Sequence, residues 1–585
     1  MRHMCWFVPV AVVASVVPGS LLAPRVASAA WPPFGRAIAT AVNDQLGPKI
    51  VPDGAGGAIV AWLDRRTPAL NLYADHVLAS GDLDAGWPVN GRALLTDSLA
   101  AAIFPEGQEF PAVAPDGAGG AIVSWPDARS ASTGLDVYAQ HVLASGIVDP
   151  AWPVNGAALC AVAGAQNSVV MLADGAGGAF VAWIDGRSDP TADGLDIYAQ
   201  HVLASGAVDP AWAAGGTAVC VANGAQIGPV LASDGAGGLL VSWYDLRSSV
   251  TGDDIYAQHV LGSGTVDPAW PMNGRALCTA PGTQAAPDIV PDGAHGAIVA
   301  WHDARDGVNH IYAQRVLASG AIAPGWPANG LPVSVTGVDE VIAKLVPDVA
   351  GGAIVTWGDA SAGHHAMRAA HVLGAGAVDP AWPAGGVALS GTPSEQTSQD
   401  VAPDGSGGAF VVWQVGLDVV AQHVLASGAL DSAFPADGRP VCDLPSRQQN
   451  PAITDDGAGG AIVTWMDFRN GVDSDIFGLQ VLAAGTSGVA GPTPRGITLV
   501  AAPNPAHGPL ALRFALPRAM PVTLAIYDAD GRRVRTLADG MRPAGTEIVG
   551  WDVRDRGGRA VPPGLYFARL AADGHVLVRR IARMP

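Results

Sequence analysis

The sequence predicts an all-β protein, and three observations carry that prediction. Only 14% of the 585 residues are charged, while Gly (75) and Pro (46) are abundant and 49% of residues are hydrophobic. That composition excludes disorder driven by low hydrophobicity and favours short strands joined by tight turns. The phrase DGAGGAIVAW recurs along the chain in near-copies, beginning at Asp53, Asp116, Asp174, Asp234, Asp292, Asp348, Asp404 and Asp456. No apolar run of the ~20 residues needed to span a bilayer occurs in the body of the chain.

Repeats of this length imply a solenoid or a propeller. Each repeat holds four strand signals, called A to D below. Strand A resembles PKIVPD, B is GGAIVAW, C is IYAQHVLAS and D is GRALL. Asp-Gly and Gly-Gly between A and B are tight-hairpin chemistry. Strand B is apolar on both pleat faces, as a sheet sandwiched between neighbouring sheets requires. Four antiparallel strands per repeat make one propeller blade.

The D phrase also occurs eight times, at Trp31, Trp87, Trp152, Trp212, Trp270, Trp326, Trp382 and Phe434, but it is offset. Its first copy, WPPFGRAIAT, precedes any A, B or C. The last repeat has A, B and C and no D. Trp31–Thr40 is therefore expected to complete the eighth blade, leaving no free sheet end as an aggregation edge. The predicted fold is an eight-bladed β-propeller closed by the N-terminal strand. The expected divisions are a signal peptide at 1–30, the propeller at 31–491 and a C-terminal domain at 492–585.

The signal peptide reading rests on Arg2 and His3 before the apolar CWFVPVAVVASVV, followed by the A-x-A site Ala27-Ser28-Ala29. It implies export. From Pro492 onward there are 14 Arg, no Lys and 7 acidic residues, a net of +7. The remainder carries 18 basic and 45 acidic residues, a net of −27. Such a step suggests two domains with different tasks. A body at −27 would repel nucleic acid, whose binding depends on phosphate neutralisation.

After GPTP (Gly491–Pro494) the periodicity ends, and the remaining residues read as a small β-sandwich. The segments PNPAHGPLALRFALP, VTLAIYDADGRRVRTLADG and AGTEIVGWDVRDRGGRAVPPGLYFARL resemble the Ig-like domain related to the flagellar hook-capping protein FlgD, over about Leu499 to Pro585. Similar domains overlap with C-terminal sorting domains of type IX secretion. The resemblance implies passage across the outer membrane by secretion machinery, with release or surface attachment; a plain structural module is the other reading. The chain ends RRIARMP, without the lysine of a sorting signal.

Candidate chemistry is sparse because most polar residues repeat. The motif W-x-D-x-R follows strand B at Trp125, Trp183, Trp243, Trp301 and Trp465, with the first copy, Trp62/Asp64/Arg66, read as one residue out of step. It is expected to tie the B–C loop down through charge-assisted hydrogen bonds. Tyr73, Tyr138, Tyr198, Tyr256 and Tyr312 share one slot. His76, His141, His201, His259, His371 and His423 share another and read as repeat packing. His302, His310, His364 and His365 fall outside it. The GAGG loops lack the Lys-Ser/Thr of a phosphate cradle. Cys160, Cys220, Cys278 and Cys442 end D strands of different blades, too far apart for disulfides. Acidic B–C loops, with Asp185, Asp189, Asp193 and Asp196 as the candidates, could hold Ca²⁺; no other cofactor is expected.

Strand A, innermost in a propeller, holds the informative deviations. Seven residues before the Pro-Asp slot stand Gln45, Gln108, Gln166, Gln226, Gln284, Glu340, Gln396 and Gln448. Four residues on come Lys49, Ala112, Val170, Val230, Asp288, Lys344, Asp400 and Ala452. The only two lysines in the chain share this slot. Lys49, Asp288, Glu340, Lys344 and Asp400, with His302 and His364, thus form a candidate ligand site at the channel mouth; a charge row that fixes blade order is the structural alternative. The expected function is an exported, monomeric, non-catalytic binding scaffold for extracellular glycan or protein. A glycan-active hydrolase with a sialidase-like propeller is the alternative.

Overall fold

The computed structural model describes residues 31–32, 34–67, 70–95, 111–130, 132–188, 194–360, 363–442, 444, 446–483, 498–502, 510–516, 520–542, 545–573 and 575–584. The proposed signal peptide, Gln108, Asp189, Asp193 and the GPTP segment lie outside the described residues. Among those described, every regular element is a strand. No helix is long and apolar enough to cross a membrane.

The repeats form eight antiparallel sheets. In sheet 1 the strands Gln45–Pro52, Ala58–Asp64, Asn71–Val77 and Arg92–Ala93 lie side by side in chain order, as A, B, C and D. Six sheets follow the same order, with A strands Ala112–Pro115, Gln166–Ala173, Gln226–Ser233, Gln284–Pro291, Glu340–Pro347 and Gln396–Pro403. Sheet 6 has one extra short strand, Ala377–Val378. Sheet 8 takes Gln448–Asp455, Gly460–Asp467 and Asp475–Leu482 from the end of the repeats, and its fourth strand is Arg36–Ala39. The register is Arg36↔Gly478, Ala37↔Phe477 and Ala39↔Ile476. The A strand of each sheet packs on that of the next, and that of sheet 8 packs on that of sheet 1. Eight A strands therefore ring a central channel.

Local chemistry explains each turn. Asp53 opens the A–B hairpin, and its Oδ1 accepts from the amides of Ala55 (2.6 Å) and Gly57 (2.8 Å). Gly54 and Gly56 have φ of 75° and 93°, which non-glycine residues rarely adopt. A Cβ on Gly57 would strike the Val77 carbonyl. The B strands are buried on both faces, so hydrophobic clusters run from sheet to sheet. The eight B-strand tryptophans, from Trp62 to Trp465, are almost completely buried. Each buries ~150–250 Å² of mostly apolar surface, several kcal/mol apiece as an upper bound.

The C-terminal residues form two further antiparallel sheets. One holds Thr498–Ala502, Leu510–Leu516 and Gly545–Trp551; the other orders Arg533–Arg542, Met520–Asp528, Gly564–Ala572 and His575–Arg583. Both contribute to one hydrophobic cluster. Trp551 and Tyr566 meet edge to face at 5.2 Å, and the Tyr566 hydroxyl donates to the Pro562 carbonyl at 2.8 Å. These contacts explain WDVRD and PPGLYF as core-making phrases.

Candidate functional site

Two repeated polar devices must be separated from the residues that do not repeat. In the first, the Trp125 indole N–H donates to Asp127 Oδ2 at 2.8 Å, and the Arg129 guanidinium forks onto the same carboxylate. Arg129 also donates to the Asn155 carbonyl and lies 3.8 Å over the Tyr138 ring. Sheets 1, 3, 4 and 5 repeat this arrangement with tyrosine, and sheet 8 with Phe477. Trp62/Asp64/Arg66 is one of them: Arg66 forks onto Asp64 like the others, so the expected displacement of the first copy is wrong. Asp185 is filled by Trp183 and Arg187, and Asp196 accepts from Ser188. A guanidinium already on the Asp185 carboxylate opposes a cation there. Among the described residues, no group of three or more His, Cys, Asp or Glu could hold a metal.

In the second device the strand-C histidine does more than pack. His141 Nε2 lies 3.0 Å from Asp116 Oδ2 and its Nδ1 lies 2.8 Å from Asp149 Oδ2. One ring thus joins the A–B turn to the C–D turn. His76, His201, His259, His371 and His423 do the same. Burial lowers the His141 and His423 pKa, but hydrogen bonds to paired aspartates outweigh it, and both end above the usual imidazole value. In sheet 5 Arg315 reaches Asp292, and in sheet 8 Gln480 reaches Asp456.

The four cysteines are free and buried, as their spacing predicts, and burial pushes each thiol up to about 12. The described glutamines of strand A are buried and turn back on their own approach loops: Gln226 Nε2 donates to the Ala222 and Gly224 carbonyls.

The charged slot faces the channel. Each fully described A strand carries a bulge two residues after its glutamine position, where Gly47, Ser168, Gly228, Ala286, Ile342, Ser398 and Asn450 have φ of 49–66°. An extra residue re-aims the chain behind it. Lys49 is exposed to solvent, and Asp288, Lys344 and Asp400 are partly so, yet protein surrounds them on all sides, as in a channel wall. Burial depresses the Lys49 pKa and the Lys344 charge depresses it further, against the opposing pull of Asp400. Lys344 is raised, mainly by Asp288. Burial raises Asp400, against the pull of Lys344. The two aspartates also stitch sheets together: Asp288 accepts from the Leu345 amide at 2.9 Å and Asp400 from the Ile453 amide at 3.0 Å. The opposite wall carries Ala112, Val170 and Val230. At this slot the charges fall on sheets 1, 5, 6 and 7 and apolar residues on sheets 2, 3, 4 and 8.

Glu340 does not reach the channel. It is fully buried, accepts from Ser334 (2.6 Å) and Thr336 (3.1 Å), and lies 3.4 Å from His310 Nδ1. Glutamate cannot donate to the loop carbonyls as glutamine does, so it takes hydroxyl donors instead. His310 also approaches Asp306 at 3.2 Å. This network was missed in the sequence, though its signal was there: His310 occupies the slot of Asp136, Asp196 and Asp254, and Ser334 that of Cys160 and Cys220. In sheet 6 the loop arginine is absent, and Arg368 enters from the tyrosine slot to reach Asp359 at 2.8 Å. The guanidinium is kept in space while its place in the sequence changes.

His302 stands on strand B of sheet 5, half-buried, with Nδ1 lacking a hydrogen-bond partner. Burial lowers its pKa, opposed by Asp339 and Asp303, so the ring is neutral near pH 7. His364 and His365 lie beside Glu395, which His365 contacts at 2.6 Å. These histidines belong to the B–C face, separate from the mid-strand charges.

Residues 505–575 match the family described as FlgD Ig-like domain. No curated protein matches the chain. Among solved structures, it is similar to a PL25 ulvan lyase bound to -[GlcA(1-4)Rha3S]-, at 10% identity over 75% of this chain and 94% of that one, with a TM-score of 0.39. It is similar to the Hadza microbial sialidase Hz136 at 14% identity over 55% and 65%, with a TM-score of 0.31. It is also similar to a Mycobacterium tuberculosis puromycin-hydrolyzing peptidase at 14% identity over 70% and 58%, with a TM-score of 0.37. At these identities and TM-scores none of the three bears on activity.

Proposed function

We propose that the chain is an exported extracellular or cell-surface binding protein, without catalytic activity, which recognises a glycan or protein ligand. Its architecture on this reading is a signal peptide at 1–30, an eight-bladed β-propeller at 31–491 closed by Trp31–Thr40, and an Ig-like sorting or attachment domain at 492–585. It acts as a monomer, engages secretion machinery through the C-terminal domain and binds no nucleic acid. The ligand is held by the propeller, at its B–C loops and at Lys49, Asp288, Lys344 and Asp400, with His302 and His364 on the loop face and Glu340 as internal support.

One observation carries the non-catalytic reading. An enzyme needs unrepeated, convergent polar groups at one site. Here the tyrosine, arginine and aspartate of six sheets are consumed in the same stack, except for the Phe477 copy, and the histidines of six sheets bridge turns. A sialidase-like mechanism needs a free tyrosine and an arginine cluster, and the five strand-C tyrosines are each covered by the arginine of their own sheet. His302, neutral and without a partner at Nδ1, favours the hydrolase alternative. A glycan and protein array screened with the secreted protein, with and without chelator, tests the proposal. Binding lost in Lys49→Ala and Lys344→Ala supports the channel; binding that survives both moves the site to the loops. Turnover of a glycoside library that is abolished by His302→Ala overturns the scaffold reading.

A further inference from the structure

The outward face of the four-stranded C-terminal sheet breaks the pattern of a solvated sheet. Along Gly564–Ala572, Tyr566, Ala568, Leu570 and Ala572 enter the shared core, so Leu565, Phe567 and Arg569 point away from it. A solvent-facing sheet surface is ordinarily polar. Here Leu565 is 45% exposed and Val578 46%, and Phe567 and Tyr527 are half-exposed.

The register arranges these side chains. Tyr527 lies opposite Arg533 on one side and Phe567 on the other, and Phe567 lies opposite Arg580. A row therefore crosses all four strands: Arg533, Tyr527, Phe567, Arg580. Arg569 joins from the next row, opposite Val578. Arg532 and Arg535 reach carboxylates, Asp530 at 3.6 Å and Asp552 at 2.7 Å; among the described residues neither Arg533 nor Arg569 does. The acidic residue on this face, Asp539, sits toward the far end of the sheet and is held by Thr523 at 3.0 Å. Asp528 accepts the amides of its own turn.

We propose that the Arg533–Tyr527–Phe567–Arg580 row, with Arg569, binds an anionic polysaccharide. Exposed aromatic and arginine side chains without lysine are the composition of a recognition surface. Tyr527 and Phe567 pair across adjacent strands, whose backbones lie about 4.8 Å apart, so the two half-exposed rings offer neighbouring faces on which a sugar chain can stack. The guanidinium forks at both ends match carboxylate or sulfate oxygens in a way an ammonium cannot. Charge favours the same occupant. The C-terminal segment is at +7, and the −27 body would repel a polyanion. This site is independent of the propeller ligand.

The test uses the full secreted chain and measures affinity for polygalacturonate and dextran sulfate, with neutral dextran, phosphatidylglycerol vesicles and polyglutamate alongside. The expected result is binding to one or both anionic polysaccharides and none to dextran. Tyr527→Ala with Phe567→Ala should lower affinity at least about tenfold, as should Arg533→Gln with Arg569→Gln, while Lys49→Ala leaves it unchanged. Outward positions make these variants compatible with folding, and an unchanged thermal transition verifies that. No binding to either polysaccharide overturns the proposal. So does binding that the aromatic variant retains in full, or that polyglutamate or the vesicles match, because each means general attraction to anions.

Discussion

Asp75 offers a quantitative test of the repeat logic. It occupies the strand-C slot that holds Gln140, Gln200, Gln258, Gln314 and Gln422 in other sheets. There the glutamine Oε1 accepts the next residue's amide and its Nε2 donates to a carbonyl of the D phrase, as Gln140 does to Pro153 at 3.0 Å. Asp75 keeps the first bond, accepting from His76 at 2.8 Å, but its Oδ2 is buried without a partner and the residue is 1% exposed. Burial raises its pKa from 3.8 to about 7. Protonated, Asp75 can donate as glutamine does; ionised, it is a desolvated charge.

A raised folded-state pKa gives stability that is full below the unfolded value and is lost as pH rises through the folded one. At 1.36 kcal/mol per unit, the native state loses between 1 and 2 kcal/mol at about pH 5 and about 4 kcal/mol at about pH 8, relative to a protonated side chain. Asp75→Gln removes this dependence and restores the donor. Its stability gain over the unsubstituted protein should therefore grow by roughly 2 to 3 kcal/mol between those conditions. Guanidinium unfolding of both proteins, followed by tryptophan fluorescence at each pH, reads this difference. A gain that is equal at both, or a variant destabilised at both, refutes the reasoning.

Four further outcomes are expected. Trp125→Phe should cost about 1–3 kcal/mol by removing the indole hydrogen bond to the buried Asp127 carboxylate, which keeps only its Arg129 donors, whereas Trp413→Phe should cost clearly less, because Trp413 Nε1 is buried without an acceptor; paired denaturation curves decide. His423→Gln should destabilise by about 1–3 kcal/mol below pH ~6.5 and by less above it, since the raised imidazole pKa contributes fully below its unfolded value and fades as pH rises through the folded one. Removing Trp31–Thr40 should lower the melting temperature sharply, because it strips the Asp475–Leu482 strand of its partner and uncovers the Val60, Trp62 and Ile476 cluster that Ile38 joins; an unchanged Tm refutes closure by this strand. The four cysteines should stay unreactive to a thiol reagent until the protein is unfolded, given thiol values near 12 and burial.

Much of the fold was legible because the repeats provide their own comparison. The offset between the D phrase and the other three strands was enough to assign Arg36–Ala39 to the last repeat sheet, and burial on both faces of strand B could be read from GGAIVAW. The histidine slot was recognised as structural from its repetition, but its double aspartate bridge was not, because His76, Asp53 and Asp84 come together only when two turns meet at one end of a sheet. The false step at Trp62/Asp64/Arg66 was a spacing error that the guanidinium geometry corrects.

The site was less legible than the fold. Sequence alone determined the number of repeats, their strand order and the slots where they deviate, since those are periodic properties of one dimension. Only tertiary structure decided what the deviations do. A bulge in strand A turns Lys49, Asp288, Lys344 and Asp400 toward the channel while Glu340, four residues before Lys344, is buried against Ser334, Thr336 and His310. The same register that alternates core and surface in the C-terminal sheet sets Tyr527 and Phe567 between Arg533 and Arg580, four residues from four different strands. Neighbours across strands are fixed by backbone hydrogen bonding, and spacing along the chain does not encode which residues those will be.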